Sequence, residues 1–336
     1  MEPDLSPIGG PAAWRGAELL SRGFWPRRLT EAEIAALDAA VAAARAEGLA
    51  APRLTAERFP LEALKPLLEA VTEELEHGAG VVRLSGLPVE RYGPEDLKRL
   101  FWGLCTHLGT PLFQNTGGEI LAEVRDETGQ GIAVTGGGPG PVPSARARSR
   151  STGPLRFHTD KCDLLALLCA SNGIAGGVSR VVSTVAIQDE IGRRRPDLLR
   201  MLYEDFWRMR PGDEEGTQGV HFDSRVFRMP VFARGPDGDF TSQYSRTYVE
   251  MAHELPEVPP LRPEQIEAMD LLAAVADELC VEAPFTPGDI QLLNQHVTYH
   301  GRTAYTDDAA AGAHRVLLRI WLSAPDGRAL PAGHAA

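Results

Sequence analysis

The sequence predicts an α+β chain: helices mixed with strand in its first third, then a series of short strands that must close into a sandwich or barrel. Three observations predict this. Amphipathic helical patterns fill residues 30–109, a long Gly/Pro/Ser-rich loop interrupts the chain near its middle, and several short segments separated by turn signals follow, DSRVFRMPVFA, DFTSQYSRTYVEM, GDIQLLN and HRVLLRIWLS among them. With 336 residues, 43% of them hydrophobic, the chain can bury one large core or two smaller ones.

The elements follow in order. LTEAEIAALDAAVAAARAEG is a helix with Thr30 as cap, Glu33 completing a capping box and Gly48 as its stop. LEALKPLLEAVTEELEHG is a second helix, leading through Gly78 and Gly80 into the strand VVRLSGLP. PEDLKRLFWGLCTHLG places Leu97, Leu100, Phe101, Leu104 and Leu108 on one helical face. From Glu127 to Gly153 the composition denies regular structure, and a loop this long inside a compact chain reads as a lid over a site. Its Arg146, Arg148 and Arg150 either meet an anionic ligand or form a solvated basic stretch. VSRVVSTVAIQDEI passes from strand to helix.

Charge and cysteines narrow the partners. A formal net charge of -12 argues against nucleic acid and anionic membranes and leaves a small molecule as the expected ligand. Cys105, Cys162, Cys169 and Cys280 lack metal or redox spacing, and the start MEPDLSPIGG lacks the basic and apolar run of a signal peptide. The expectation is a cytoplasmic protein with reduced thiols and no membrane span.

Chemistry concentrates at RFHTDKCD. On a strand, His158 and Asp160 point to one face and can share a metal, with His300 in NQHVTYHGRTAY as the distant third ligand. Two histidines and a carboxylate leave three open positions, the facial arrangement of non-haem Fe(II) oxygenases. In HRVLLRIWLS, Val316, Leu318, Ile320 and Leu322 face one side, and Arg315, Leu317, Arg319 and Trp321 the other. Two arginines turned into a core layer need anions, from Asp or Glu or from a ligand. His296 reads as a residue that packs beside the ligands or supports them, His107 and His221 as structural or surface histidines, Asn294 as part of a turn, and Trp321 as core or, from the arginine face, as a border of the substrate space.

At these residues the chain resembles the taurine dioxygenase-like (TauD/TfdA) iron and 2-oxoglutarate-dependent dioxygenases. The resemblance rests on HTDKCDLLALLC with GGVSRVVS, GDIQLLNQHVTYHGRTAY and HRVLLRIWLS, in that order, and runs from about residue 60 to 325. It implies a double-stranded β-helix (jelly roll) flanked by helices, with residues 1–55 as a helical extension and 56–330 as the dioxygenase domain. It also implies His158, Asp160 and His300 as Fe(II) ligands, with Arg315 gripping the far carboxylate of 2-oxoglutarate. Ser179 would assist there, Ser183 and Thr184 being close enough to compete. Arg319 would meet the substrate or serve structurally, and Gln114 and Asn115 fall where such enzymes line the substrate site.

The implied reaction consumes O2 and 2-oxoglutarate and hydroxylates an unactivated C–H of a small, anionic molecule, an amino acid or biosynthetic intermediate, releasing succinate and CO2. Desaturation or ring closure by the same oxidant, a silent small-acid binder and a metal-dependent hydrolase are the alternatives. The sequence leaves oligomeric state open.

Overall fold

The structure is a computed structural model, and it describes residues 3–21, 26–115, 117–128, 148–210, 225–325 and 327–331. Residues 129–147, with most of the expected lid and Arg146, lie outside these, as does His221. Two antiparallel sheets face each other. In the larger, Val81–Ser85, Ile290–Asn294, Leu164–Ser171 and Val316–Ser323 lie side by side, with Thr110–Leu112 and Ala122–Val124 both pairing Val316–Ser323. In the smaller, the order is Val281–Ala283, Ser179–Ser183, Thr298–Arg302 and Leu155–His158. Strands distant in sequence are neighbours in space, as in a jelly roll, and this is the double-stranded β-helix core.

Alternation along the strands divides three apolar layers. Val81, Leu165, Leu167, Leu293 and Leu317 meet Val181 and Val281 between the sheets. Their strand neighbours Val82, Leu84, Ala166, Leu168, Ile290, Leu292, Leu318, Ile320 and Leu322 face outward under the N-terminal helices Glu31–Ala46, Lys65–Glu76 and Pro94–Cys105. Leu318, Ile320 and Leu322, from the face of the last strand read from sequence as wholly apolar, lie on this outer side, with Leu317, Arg319 and Trp321 on the other; a register shift between Val316 and Leu317 interrupts the alternation there, and Arg315 precedes the strand. The outer face of the smaller sheet, with Val182 and Tyr299, is covered by Thr184–Arg194, Pro196–Leu202 and Pro263–Leu279. That last helix, 17 residues long, lies where the sequence reading expected mainly short strands.

The helix Glu31–Ala46 forms as its ends dictate. The Thr30 hydroxyl accepts from the Glu33 N–H and the Glu33 carboxylate accepts from the Thr30 N–H. Gly48, at φ +68°, ends it in the left-handed region that other residues avoid. The N-terminal segment is fastened to the domain: the Trp14 indole donates to the Ala79 carbonyl, and the Ile8 and Gly9 N–H groups donate to Asp189. Among the described residues no helix is long and apolar enough to cross a membrane.

The neck of the central loop is closed by charge. Arg150 grips both oxygens of Glu127 and both of Glu119, and the Glu127 N–H donates to the Arg150 carbonyl. Arg150 is thus spent on internal carboxylates. Arg302, on the distal histidine's strand, donates to the carbonyls of Ser151 and Gly153 and fixes the other side of the neck.

Candidate active site

His158 closes the strand Leu155–His158, and His300 lies directly opposite on the neighbouring strand Thr298–Arg302. Their rings sit 4.2 Å apart between centroids. The strand ends at His158, so period-two alternation is not what aims Asp160. Beyond it Thr159 is held by Tyr244, whose carbonyl accepts the Thr159 N–H, and the Asp160 N–H donates to Gln295 Oε1 at 2.7 Å. These bonds return the Asp160 carboxylate to the histidines. Its oxygens lie 3.9 Å from His158 Nε2 and 4.0 Å from His300 Nε2. One ligand atom from each residue falls within 4.8 Å of the others, and no further cluster of this kind occurs among the described residues.

The electrostatics suit a divalent metal. Burial lowers the His158 imidazole, and burial together with the nearby His158 pushes His300 down to about 3, so both rings are neutral with lone pairs to give. Burial would raise the Asp160 carboxyl, but the Arg319 guanidinium, the two histidines once protonated and the Trp321 N–H outweigh it and hold the group below its ordinary range. The His158 Nδ1–H donates to the Arg156 carbonyl at 2.9 Å, which leaves Nε2 facing inward. The donor set of two nitrogens and a carboxylate fits Fe(II).

The carboxylate is further oriented by a residue that sequence reasoning placed in the core. Trp321 Nε1–H donates to Asp160 Oδ2 at 2.9 Å, and Arg319 Nη1 stands 3.5 Å from the same oxygen. Position 321 alternates with Arg319 and Arg315, so the only available signal was its place on the arginine face. Gln295 carried no signal. Bonds of this kind, which aim a metal's ligand, are commonly worth ten- to a hundredfold in affinity. Trp321→Phe, which keeps the ring and removes the donor, is expected to weaken Fe(II) binding by about that factor. Titration of the metal-free protein with Fe(II), beside a melting curve to show that the fold persists, checks this.

Arg315 is 3% exposed, and its Nε and Nη1 have no hydrogen-bond partner among the described residues. The space for its side chain is made by Gly177, at φ +68°, where a Cβ would stand 2.7 Å from Arg315 Nε. This accounts for the second glycine of GGVS. An unpaired buried guanidinium is costly and fits a carboxylate delivered by a ligand, as 2-oxoglutarate would deliver one. Of the three candidate hydroxyls, Ser183 caps the helix Thr184–Arg194, and Thr184 donates to the His296 carbonyl. Ser179 lies two residues past Gly177, buried, with its hydroxyl donating to Gln291 Oε1 at 3.2 Å.

The remaining candidates fall as follows. Arg319 Nε donates to Gln114 Oε1 at 2.7 Å, while Gln114 Nε2 donates to the carbonyls of Arg319 and Ile120, so Gln114 reaches the site through Arg319. The Asn115 amide closes on Glu119. His296 bridges Thr241 and Asp163, and the Asn294 carboxamide oxygen accepts the His296 N–H in the turn before His300. His107 bonds the Phe59 carbonyl. All four cysteines are free.

Comparison with known proteins bears on the family and the fold. The sequence model of the taurine catabolism dioxygenase TauD, TfdA family matches residues 46–321. FR-33289 synthase of Streptomyces rubellomurinus is 28% identical over 335 residues, covering 97% of this chain and 93% of that protein. An asparagine oxygenase solved with Fe(II), 2S,3S-3-hydroxyasparagine and succinate superposes with a TM-score of 0.62 at 16% identity, covering 89% of this chain and 93% of that one. The non-heme iron oxygenase OrfP, solved with Fe and alpha-ketoglutaric acid, gives 0.62 at 17% identity, covering 93% and 98%. With residues 46–321 matched by the family's sequence pattern and its two histidines and carboxylate gathered in one cluster, the chain belongs to the TauD/TfdA family of Fe(II)- and 2-oxoglutarate-dependent dioxygenases.

Proposed function

We propose that the protein hydroxylates an unactivated C–H bond of a small anionic molecule, an amino acid or a biosynthetic intermediate, in the cytoplasm. The observation that carries this reading is a His-His-Asp cluster together with the buried Arg315, whose Nε and Nη1 have no hydrogen-bond partner among the described residues. His158, Asp160 and His300 would hold Fe(II), and Arg315, assisted by Ser179, would hold the far carboxylate of 2-oxoglutarate. When bound, iron and 2-oxoglutarate supply the oxidising power that inserts one oxygen atom of O2 into a C–H bond, with succinate and CO2 as by-products. The chain's own residues orient and exclude water: Trp321 and Arg319 hold the Asp160 carboxylate, and the apolar layer of Leu165, Leu167 and Leu317 walls the interior. No proton transfer by a side chain is required, and none is assigned.

Arg319, oriented by Gln114, is the residue we assign to an anionic group of the substrate, with Gln114 and Asn115 bordering the same space. Arg319 stands beside Asp160 while Arg315 packs against Gly177, so the two are assigned to different carboxylates. The two solved neighbours support an amino-acid class, one bound to hydroxyasparagine and the other, in further complexes, to hydroxy-L-Arg. The test is a screen of amino acids and other small acids, scored by oxygen consumption and succinate release with Fe(II) and 2-oxoglutarate present. Once a substrate is found, Arg319→Gln is expected to lower kcat/KM on the charged form by roughly tenfold to a hundredfold more than on its amide or ester, beyond a loss common to both that follows from its contact with Asp160. Equal losses on charged and neutral forms would make Arg319 structural.

A further inference from the structure

Beside Asp160 lies a cavity of about 370 Å³, lined among others by Lys161, Gln243, Gln295 and Asp163. Gln295 is 2% exposed. Its Oε1 is committed to the Asp160 N–H, which fixes the amide's orientation, and its Nε2 has no partner among the described residues. A buried N–H donor left unpaired costs as much as a lost hydrogen bond, so its partner is expected from outside the chain. Lys161 lies on the same wall, half-buried, with its ammonium 5.0 Å from the Phe227 ring centroid. Among the described residues no carboxylate pairs with it, and the charges that act on it are the guanidinium groups of Arg208 and Arg210. Arg208 is buried, donates to the Pro230 carbonyl, and leaves its Nε unpartnered among the described residues. Asp163, the other carboxylate on the wall besides Asp160, is engaged by His296, Ser323 and the Ala324 N–H.

A buried donor without a partner and a cation that no carboxylate pairs with among the described residues call for one kind of guest. We propose that this corner holds an oxyanion group of the primary substrate, a carboxylate, sulfonate or phosphonate, on Lys161 Nζ and Gln295 Nε2, in addition to the group that Arg319 meets. The proposal rests on the reading of the chain as a dioxygenase of an anionic molecule, and it narrows that class to molecules with negative charge at both ends. It also explains the economy of the wall. Asp160 offers its carboxylate to the metal and its N–H to Gln295, so one residue sets both the iron ligand and the donor that fixes the substrate's far end.

The chain has only three lysines, Lys65, Lys98 and Lys161, which makes a site-specific reading practical. Reductive methylation with 13C-formaldehyde labels each amine while keeping its charge, and single Lys→Arg variants assign the signals. The wild-type protein, loaded with Zn(II) and the 2-oxoglutarate analogue N-oxalylglycine so that Arg315 is occupied, is titrated with acetate, methanesulfonate and methylphosphonate. The Lys161 signal is expected to move saturably with at least one probe while Lys65 and Lys98 stay fixed, and the strongest probe identifies the oxyanion. Gln295→Met is expected to weaken that probe about tenfold. By calorimetry on unlabelled protein, Lys161→Arg retains the probe and Lys161→Met loses it. A Lys161 signal indifferent to all three probes overturns the proposal, and so does a response that survives Lys161→Met but vanishes in Arg319→Gln. If N-oxalylglycine itself fails to raise the melting temperature of the wild type, the dioxygenase reading is at fault, and the lysine titration is then read without it.

Discussion

Asp160→Ala is expected to take turnover to the assay floor while the chain still folds. The carboxylate is the only anion among the three ligands, and it also neutralises Arg319, 3.5 Å away. Its removal leaves Fe(II) facing two neutral imidazoles with a guanidinium close by, so the metal loses an attraction and gains a repulsion. Removing one partner of a buried pair is costly, but here Arg319 keeps Gln114 and is only half-buried, which limits the damage to the fold. Fe(II) titration, succinate release and a melting curve together test this. Full activity in the variant would remove Asp160 from the metal site.

Arg315→Met should produce the second largest effect, and a split one. Two charge-assisted hydrogen bonds to the far carboxylate of 2-oxoglutarate are worth roughly 1.5–3 kcal/mol each, so the half-saturating concentration should rise by at least about a hundredfold. The ligand-free protein, by contrast, should be no less stable than the wild type, because the substitution removes a buried guanidinium whose Nε and Nη1 have no partner among the described residues. A ligand that binds only the folded state raises the melting temperature, so N-oxalylglycine should stabilise the wild type and leave Arg315→Met unmoved. Gly177→Ala should reproduce part of this, since a methyl 2.7 Å from Nε must displace the arginine. A variant that melts early with or without the analogue would make Arg315 a structural residue.

What the sequence disclosed and what it withheld have physical reasons. The capping box of Thr30 and Glu33 is a local device, complete within four residues, and it could be read directly. The alternation in HRVLLRIWLS is equally local, and it separated the arginine face from the face that packs under helices. His158, Asp160 and His300 were legible as ligand types, but what aims Asp160 was not. The strand stops at His158, and Gln295 and Tyr244 take over across 135 and 85 residues of chain. Trp321 illustrates the same limit: its spacing put it on the arginine face, while its donation to Asp160 depends on how two strands are registered. Long-range polar contacts leave no periodic trace.

The salt-bridged neck around Arg150 bears on the iron site as well as on the segment it closes. Glu127 and Arg150 are clamped to each other, and Arg302 ties Ser151 and Gly153 to the strand that carries His300. The two ends of the intervening segment are therefore already joined, and a change in its length alters closure entropy only logarithmically, by about 0.6 kcal/mol per doubling. The clamp and the strand of His300 thus share one fastening through Arg302, so a residue that binds the neck also bears on where an iron ligand stands.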